Sequence, residues 1–339
     1  MEPKVSVVLP VYNSEKTIKQ TLESILGQSL GDFELIVIND GSTDSGKEII
    51  QSFSDSRIRL LDNDSNRGLI FSLNRGLDAA RGKYIARMDS DDIMQPDRLF
   101  KQFEFMEKHP DIDICGCACE ILNDDNQPLG KLLYWLKNDS IRADLMFNSP
   151  LAHPTYFIRS EAIAGYRYNP DFKYCEDYEL LSRFLLDGHK AANLPGKLLR
   201  YRNSVGSQSQ IGERNADQRF ALVRSIQKRL IKEALQTEND EYLTKLHYLL
   251  SQSDRVRSIS LTEFPVSVIT KYFKFIEKQI RETGYCSVSG LKPVLGKIWI
   301  KLLRYKLRPT MGIRNAFNLV WSRYSLYGIR CLIYRLTKY

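Results

Sequence analysis

Three carboxylates, Asp89, Asp91 and Asp92, crowd into four residues directly after the apolar run Tyr84-Ile85-Ala86-Arg87-Met88. That run reads as a short strand entered from the turn Arg81-Gly82-Lys83. Like charges this close repel. The cluster therefore predicts a bound divalent cation, or a positively charged partner, at the strand's carboxyl end. Oxygen-only ligands suit the hard ions Mg²⁺ and Mn²⁺, which keep coordination positions open for substrate phosphates. The bland alternative is a solvated turn with Asp92 capping a helix. A second acidic pair, Glu176-Asp177, opens a helix that runs to Leu186. Carboxylates there can do acid–base work, or simply complement the helix dipole.

The elements needed to position these groups alternate along the first half of the chain. Lys4 to Leu9 is a continuous apolar run stopped by Pro10, as expected of a strand buried on both faces of a parallel sheet. Ser14 is placed as N-cap of a helix carrying Ile18, Leu22, Ile25 and Leu26. Phe33 to Ile38 is a second strand, closed by Asn39-Asp40-Gly41-Ser42 before a helix over about 44–53. Ile58 to Leu61 is a third strand, and Leu69, Leu73, Leu77 and Ala80 mark a further helix. Polar residues collect where strands end, the place where open α/β sheets bind ligands. Neither a dinucleotide fingerprint nor a P-loop follows the first strand, so phosphates there must be held by a metal.

Further on, Pro96 to His109 reads as a helix, Ile112 to Cys119 and Ile121-Leu122 as strands, His153 to Ile158 as a strand and Lys197 to Tyr201 as the last one. Past Gly212 only helical periodicity remains, over about 215–235, 241–251 and 262–282. The expected division is a catalytic domain over 1–212, with a nucleotide half about 1–95 and an acceptor half about 96–212, followed by a helical region over 213–339.

Composition bounds the surroundings. The net charge of +8 is uneven: no acid follows Glu282, while eleven cations do, so subtracting them leaves about −3 for residues 1–282. Trp299, Leu302, Leu303, Leu307, Phe317, Val320, Trp321, Tyr324, Tyr327, Ile329, Leu332 and Ile333 alternate with those cations, a pattern suited to an anionic membrane surface or to packing on the rest of the chain. No nucleic-acid-binding motif accompanies the charge, so no nucleic-acid partner is expected. No apolar run reaches the roughly 20 residues that span a bilayer, and no signal-peptide pattern opens the chain, so a cytoplasmic location is expected. Cys115, Cys117 and Cys119 alternate on one strand face, which favours buried free thiols over a zinc site.

The stretches VSVVLPVYN, VINDGSTD, NRG, GKYIARMDSDD and CEDYEL, in this order and spacing, resemble the inverting family-2 glycosyltransferases over about residues 4–205. GLIFSLNRGLDAARGKYIARMDSDD and YRYNPDFKYCEDYEL look most like bacterial β-1,3-N-acetylglucosaminyl- and galactosyltransferases of surface oligosaccharides. The resemblance implies a GT-A fold, a Rossmann-like mixed sheet flanked by helices, carrying here a helical and basic C-terminal extension. It also implies transfer from a UDP-sugar to a glycan or lipid-linked acceptor, with Mn²⁺ or Mg²⁺ as cofactor. Pro10, Tyr12 and Asn13 would border base and ribose, Asp40 would accept the uracil imide N–H, and Arg67 would contact nucleotide or diphosphate. Asp89 would face ribose or ion, Asp91 would ligate the metal, Asp177 would be the general base, and Glu176 would orient acceptor or base. Glu15 is a nucleotide-site candidate with an easy structural role at a helix start, and His153 faces acceptor or diphosphate or packs before Pro154. One departure stands out: relatives carry a histidine after the Tyr-Arg pair, whereas here Tyr201-Arg202 is followed by Asn203-Ser204, leaving Arg202, Gln208 or neither to replace it.

Two rival readings remain at this level. A sugar-nucleotide nucleotidyltransferase would need a glycine-rich basic loop after the first strand, which LPVYNSE lacks. A membrane-associated scaffold with a degenerate nucleotide fold would not need Asp40, Asp89, Asp91 and Asp177.

Overall fold

The computed structural model describes residues 2–203, 215–238, 240–251, 253–306, 320 and 322–338. Residues Met1–Tyr134 with Leu151–Arg219 form one compact unit, and Trp135–Pro150 with Phe220–Tyr339 form a second. The segment 135–150 thus groups with the C-terminal helices, although it lies within the half read from sequence as acceptor-binding.

In the first unit β1 (Val5–Val11), β2 (Phe33–Asn39), β3 (Ile58–Asp62) and β4 (Tyr84–Arg87) are parallel, in the order β3-β2-β1-β4. Their connections are α1 (Ile18–Leu26), α2 (Gly46–Gln51) and α3 (Leu69–Ala79). Ile18, Leu22 and Ile25 of α1 share a core with Val5, Val7 and Leu9 on one face of β1. On the other face α3 approaches so closely at Gly76 that a Cβ there would lie 2.3 Å from Val8 Cγ1. Both faces are covered, which is why β1 and β2 are largely apolar, their exceptions Ser6 and Glu34 being hydrogen-bonded to each other. Pro10 does not stop β1 as expected but lies within it. Val8 bonds toward β4 through the Met88 N–H, so Pro10, two residues on, turns its missing N–H toward the same side, past the last β1–β4 pair at Val8 and Arg87.

The sheet continues as a mixed one, giving β3-β2-β1-β4-β8-β6-β9-β5 with β7 paired to β6: β6 and β9 pair parallel, while the β4–β8, β8–β6, β9–β5 and β6–β7 pairs are antiparallel. The added strands are β5 (Ile93–Met94), β6 (Ile114–Leu122), β7 (Pro128–Leu132), β8 (Phe157–Arg159) and β9 (Ala191–Arg202), with α4 (Arg98–Lys108) between β5 and β6. Sequence reading missed β7, whose residues are exposed and carry no alternation, and took His153–Thr155 for strand where a 3₁₀ turn stands. It also cut β9 short at Pro195-Gly196. The β6–β9 register steps from Leu194 to Lys197 there, a bulge that carries the proline outside the ladder. Cys115, Cys117 and Cys119 lie on one face of β6, buried, free and with thiol pKa values pushed up by burial. α7 (Glu176–Leu186), after α5 (Asn138–Leu145) of the second unit and the single turn α6 (Ser160–Ile163), completes the first unit's main helices.

The second unit adds α8 (Ala216–Leu235), α9 (Glu241–Ser251), α10 (Ser253–Ser258), α11 (Val266–Thr283), α12 (Val288–Lys306) and α13 (Arg323–Lys338) to α5. Trp299 and Leu302, read from sequence as part of a membrane-facing stripe, are fully buried; Trp299 packs against Phe273 and Tyr324. Their burial corrects that part of the tail reading: an aromatic helix with cations at its margins is also what a small helical core needs. Leu307, Phe317 and Trp321 lie outside the described residues. Leu326 and Ile329, 61% and 49% exposed, leave α13 with an open apolar strip. No described helix is long and apolar enough to cross a membrane.

Candidate active site

The site is built where parallel strands end around β1, the point at which strand order reverses. After β1, Tyr12 is 46% exposed and Asn13 takes a positive φ of 47°. Asn13 donates its N–H to Ser42 Oγ and accepts the Thr43 N–H at 2.9 Å, so the loops after β1 and β2 are stitched together. Glu15 belongs to the same seam. Its Oε2 accepts from Ser45 Oγ at 2.7 Å and from Ser45 N, bonds that hold its carboxyl below the usual range. Ser14 is not the expected N-cap, since Thr17 precedes α1; its hydroxyl meets Ser90 Oγ at 2.7 Å.

Asp40 is buried at the end of β2 and tightly oriented. Oδ1 accepts from Asn63 Nδ2 at 2.6 Å and Arg67 N at 2.9 Å, and Oδ2 accepts from Gly68 N at 2.8 Å. A carboxylate offers about four acceptor sites, so one remains for a ligand. Gly41, at φ 67°, lets this loop touch the next: a Cβ would lie 2.5 Å from the Ser65 carbonyl carbon. The Arg67 guanidinium lies 4.4 Å over the ring of exposed Phe71.

The acidic cluster is not a solvated turn. One carboxylate oxygen each of Asp89, Asp91 and Asp92 lies within 4.8 Å of the others. Asp89 and Asp91 are half-buried and Asp92 is fully buried. The Arg87 guanidinium, itself buried, grips both oxygens of Asp89. Sequence reasoning passed over Arg87, though the two-residue repeat of a strand places positions 87 and 89 on one face. Asp92 Oδ1 accepts from Arg202 N at 2.8 Å, while Oδ2 is buried with no hydrogen-bond partner among the described residues. Burial, then the charges of Asp91 and Asp89, push the Asp92 carboxyl well above the carboxylate range. An all-oxygen set with an orphaned buried oxygen beside it fits a hard divalent cation, and Asp89 and Asp91 are the residues that would hold it.

The second acidic pair, Glu176 and Asp177, begins α7. Tyr174, just before it, has φ 72°, a conformation that is rare for a bulky residue. Glu176 is buried, and burial followed by the charge of Asp177 raises its pKa to about 7, with smaller influences from Arg87 and Asp89. The charges of Arg87 and Asp89 thus reach Glu176. Asp177 is half-buried, and its carbonyl accepts from Tyr156 OH at 3.4 Å. The His153 Nε2 meets Tyr168 OH at 2.8 Å, and burial holds that imidazole neutral. Asn74 of α3 bonds both backbone polar groups of Tyr168, tying the segment before α7 to α3. Gln208 lies outside the described residues.

Known proteins are similar to this chain in sequence and in fold. A family model described as Glycosyl transferase family 2 matches residues 6–165. The Bacillus subtilis (strain 168) protein EpsE, named as a glycosyltransferase, is 35% identical over 206 residues, which cover 59% of this chain and 73% of EpsE. The amylovoran biosynthesis glycosyltransferase AmsE of Erwinia amylovora is 31% identical over 201 residues, covering 58% of this chain and 75% of AmsE. S. aureus TarS 1–349, solved in complex with UDP-GlcNAc, has a TM-score of 0.58 at 18% identity, covering 99% of this chain and 93% of that one, a likeness of fold. The fold is accordingly of the GT-A type with a helical C-terminal extension. With strand-end acids, a matching family model and relatives aligned over most of their own length, the chain belongs to glycosyl transferase family 2.

Proposed function

We propose that this chain moves a sugar from a UDP-sugar to a hydroxyl of an acceptor glycan, free or lipid-linked, inverting the anomeric centre to form a β-linkage. GlcNAc is the first choice of donor sugar and galactose the next, in building a cell-surface polysaccharide or lipooligosaccharide. The observation that carries the reading is the convergence of Asp89, Asp91 and Asp92 within 4.8 Å, with the charge of Asp89 reaching Glu176, the neighbour of Asp177. The UDP-GlcNAc bound by the similarly folded TarS supports the donor class.

In this reading Pro10, Tyr12 and Asn13 border the nucleoside, with Tyr12 open for stacking. Asp40, fixed by three donors, offers its remaining acceptor site to the base N–H. Arg67, resting on Phe71, meets the nucleotide or its diphosphate. Asp91 and Asp89 would hold Mn²⁺ or Mg²⁺, which when bound would supply positive charge against the diphosphate. Asp177 takes the proton of the attacking hydroxyl. Glu176 keeps its own proton to about pH 7 and donates it as a hydrogen bond that orients acceptor or base. Glu15 serves the nucleotide indirectly, through the seam with Ser45.

The same reading places the protein in the cytoplasm, at the inner face of the plasma membrane. What supports attachment is the acid-free basic tail together with exposed Leu326 and Ile329 on α13.

The test is a panel of UDP-sugars assayed for hydrolysis and transfer with Mn²⁺ or Mg²⁺, alongside Asp177→Asn. The variant should lose about 10²–10⁴-fold in turnover while UDP affinity by calorimetry stays within a few-fold. Equal loss of both removes the base assignment, and absence of UDP binding in the parent protein removes the donor assignment.

A further inference from the structure

Resting on the reading that Asp91 carries the donor's divalent cation, we infer that Arg202 is a positioning residue for the transfer reaction, a latch that sets where the Asp91 carboxylate stands. Arg202 is the last residue of β9 and is buried. Its backbone N–H donates to Asp92 Oδ1 at 2.8 Å, and its Nε donates to the Asp91 carbonyl at 2.8 Å. Nη2 donates to Gln20 Oε1 on α1 at 3.0 Å, and Nη1 to the Asp124 carbonyl, in the turn between β6 and β7, at 3.2 Å. A single side chain thus joins the acidic loop to a helix and to a hairpin that are far from it in sequence.

The loop's own backbone shows why this matters. The Ser90 carbonyl accepts from Thr17 Oγ1 and Thr21 Oγ1, the Asp92 carbonyl accepts from Thr21 Oγ1, and the Asp91 carbonyl between them accepts from Arg202. Every carbonyl from Ser90 to Asp92 is therefore held from outside the loop, and Arg202 holds the one belonging to the candidate ligand. A planar guanidinium sets three directions at once, which a lysine cannot reproduce. Arg202 commits three of its five guanidinium N–H groups to protein oxygens. It acts through Asp91.

The experiment uses the full chain and reads free Mn²⁺ by electron paramagnetic resonance during titration, with UDP present, for the parent, Arg202→Met, Arg202→Lys, Gln20→Ala and Asp91→Asn. Donor KM, kcat and Tm are measured on the same samples. Removing an outer-shell support of this kind costs about 10–100-fold in metal affinity. Arg202→Met should therefore weaken Mn²⁺ binding by about that factor, raising donor KM more than it lowers kcat. Arg202→Lys should recover part of the loss. Gln20 is exposed, so Gln20→Ala folds and should show a smaller shift of the same sign. Folded Arg202 variants with a lowered Tm and parental Mn²⁺ affinity overturn the latch; should Arg202→Met not fold, parental affinity in both Arg202→Lys and Gln20→Ala does the same. Parental Mn²⁺ affinity in Asp91→Asn overturns the donor-site reading and the latch together. Binding that is sensitive to Asp91 and indifferent to Arg202 removes the latch alone.

Discussion

Replacing Glu176 by Gln isolates the electrostatic state of the acidic pair that opens α7. Glu176 is 8% exposed, and burial, then the charge of Asp177, raises its pKa from 4.5 to about 7. In the unfolded chain the group ionises near the ordinary value; in the folded chain it holds its proton longer. Between those two values the folded state binds more protons, so stability falls as pH rises and levels off above about 7. A displacement of this size corresponds to about 3 kcal/mol. Glutamine keeps a donor and an acceptor but cannot ionise. Glu176→Gln should therefore gain on the parent progressively from pH 5 to pH 8, approaching about 3 kcal/mol in denaturant unfolding, with little gain at the acid end. The parent's kcat/KM should fall on a limb near pH 7, where Glu176 loses its hydrogen-bond proton, and that limb should be missing from the Gln variant. A stability difference that does not change with pH, or an alkaline limb that survives the substitution, refutes the reasoning.

Three other outcomes follow from the second unit. His247 accepts from Tyr272 OH at 2.8 Å and donates to the Met146 carbonyl at 2.7 Å, and burial lowers its pKa to about 4. The unfolded imidazole takes its proton first as pH falls below 6.5, so about 3 kcal/mol of stability should disappear between pH 6.5 and 4, and His247→Gln should remove that pH dependence in unfolding curves. A Cβ on Gly296 of α12 would lie 2.3 Å from the Gly328 backbone N of α13; Gly296→Ala should destabilise this unit by about 1–3 kcal/mol, seen as a lowered Tm. Leu326→Glu with Ile329→Glu should reduce sedimentation with anionic vesicles at least several-fold while sparing transfer to soluble acceptors, and unchanged sedimentation counts against the membrane reading. Truncation at Gly290 is not a substitute test, because it removes Trp299 and Leu302 from the core.

The parallel half of the sheet was legible because strands covered on both faces must be mainly apolar, and β1, β2 and β4 announce themselves that way despite Ser6, Glu34 and Arg87. The spacing of Asp89, Asp91 and Asp92 and the period-two run of cysteines were equally open to reading, since both are local patterns. Other features depend on partners distant in the chain. β7 is exposed and carries no burial pattern, and β9 continues past Pro195-Gly196 only because β6 tolerates a bulge beside it. Trp299 looked like a membrane anchor because an aromatic, cation-flanked helix has the same composition whether it meets lipid or Phe273.

The residues by themselves determined which chemistry was available: carboxylates at strand ends, a second acidic pair at a helix start, and a tail without acids. What only the folded chain decided is the charge state and aim of those groups. Arg87 neutralises Asp89, burial keeps a proton on Glu176, and Arg202 reaches back 111 residues to hold Asp91. Desolvation and long-range hydrogen bonds have no signature in local spacing, because both depend on which distant segments exclude water from the same few ångströms.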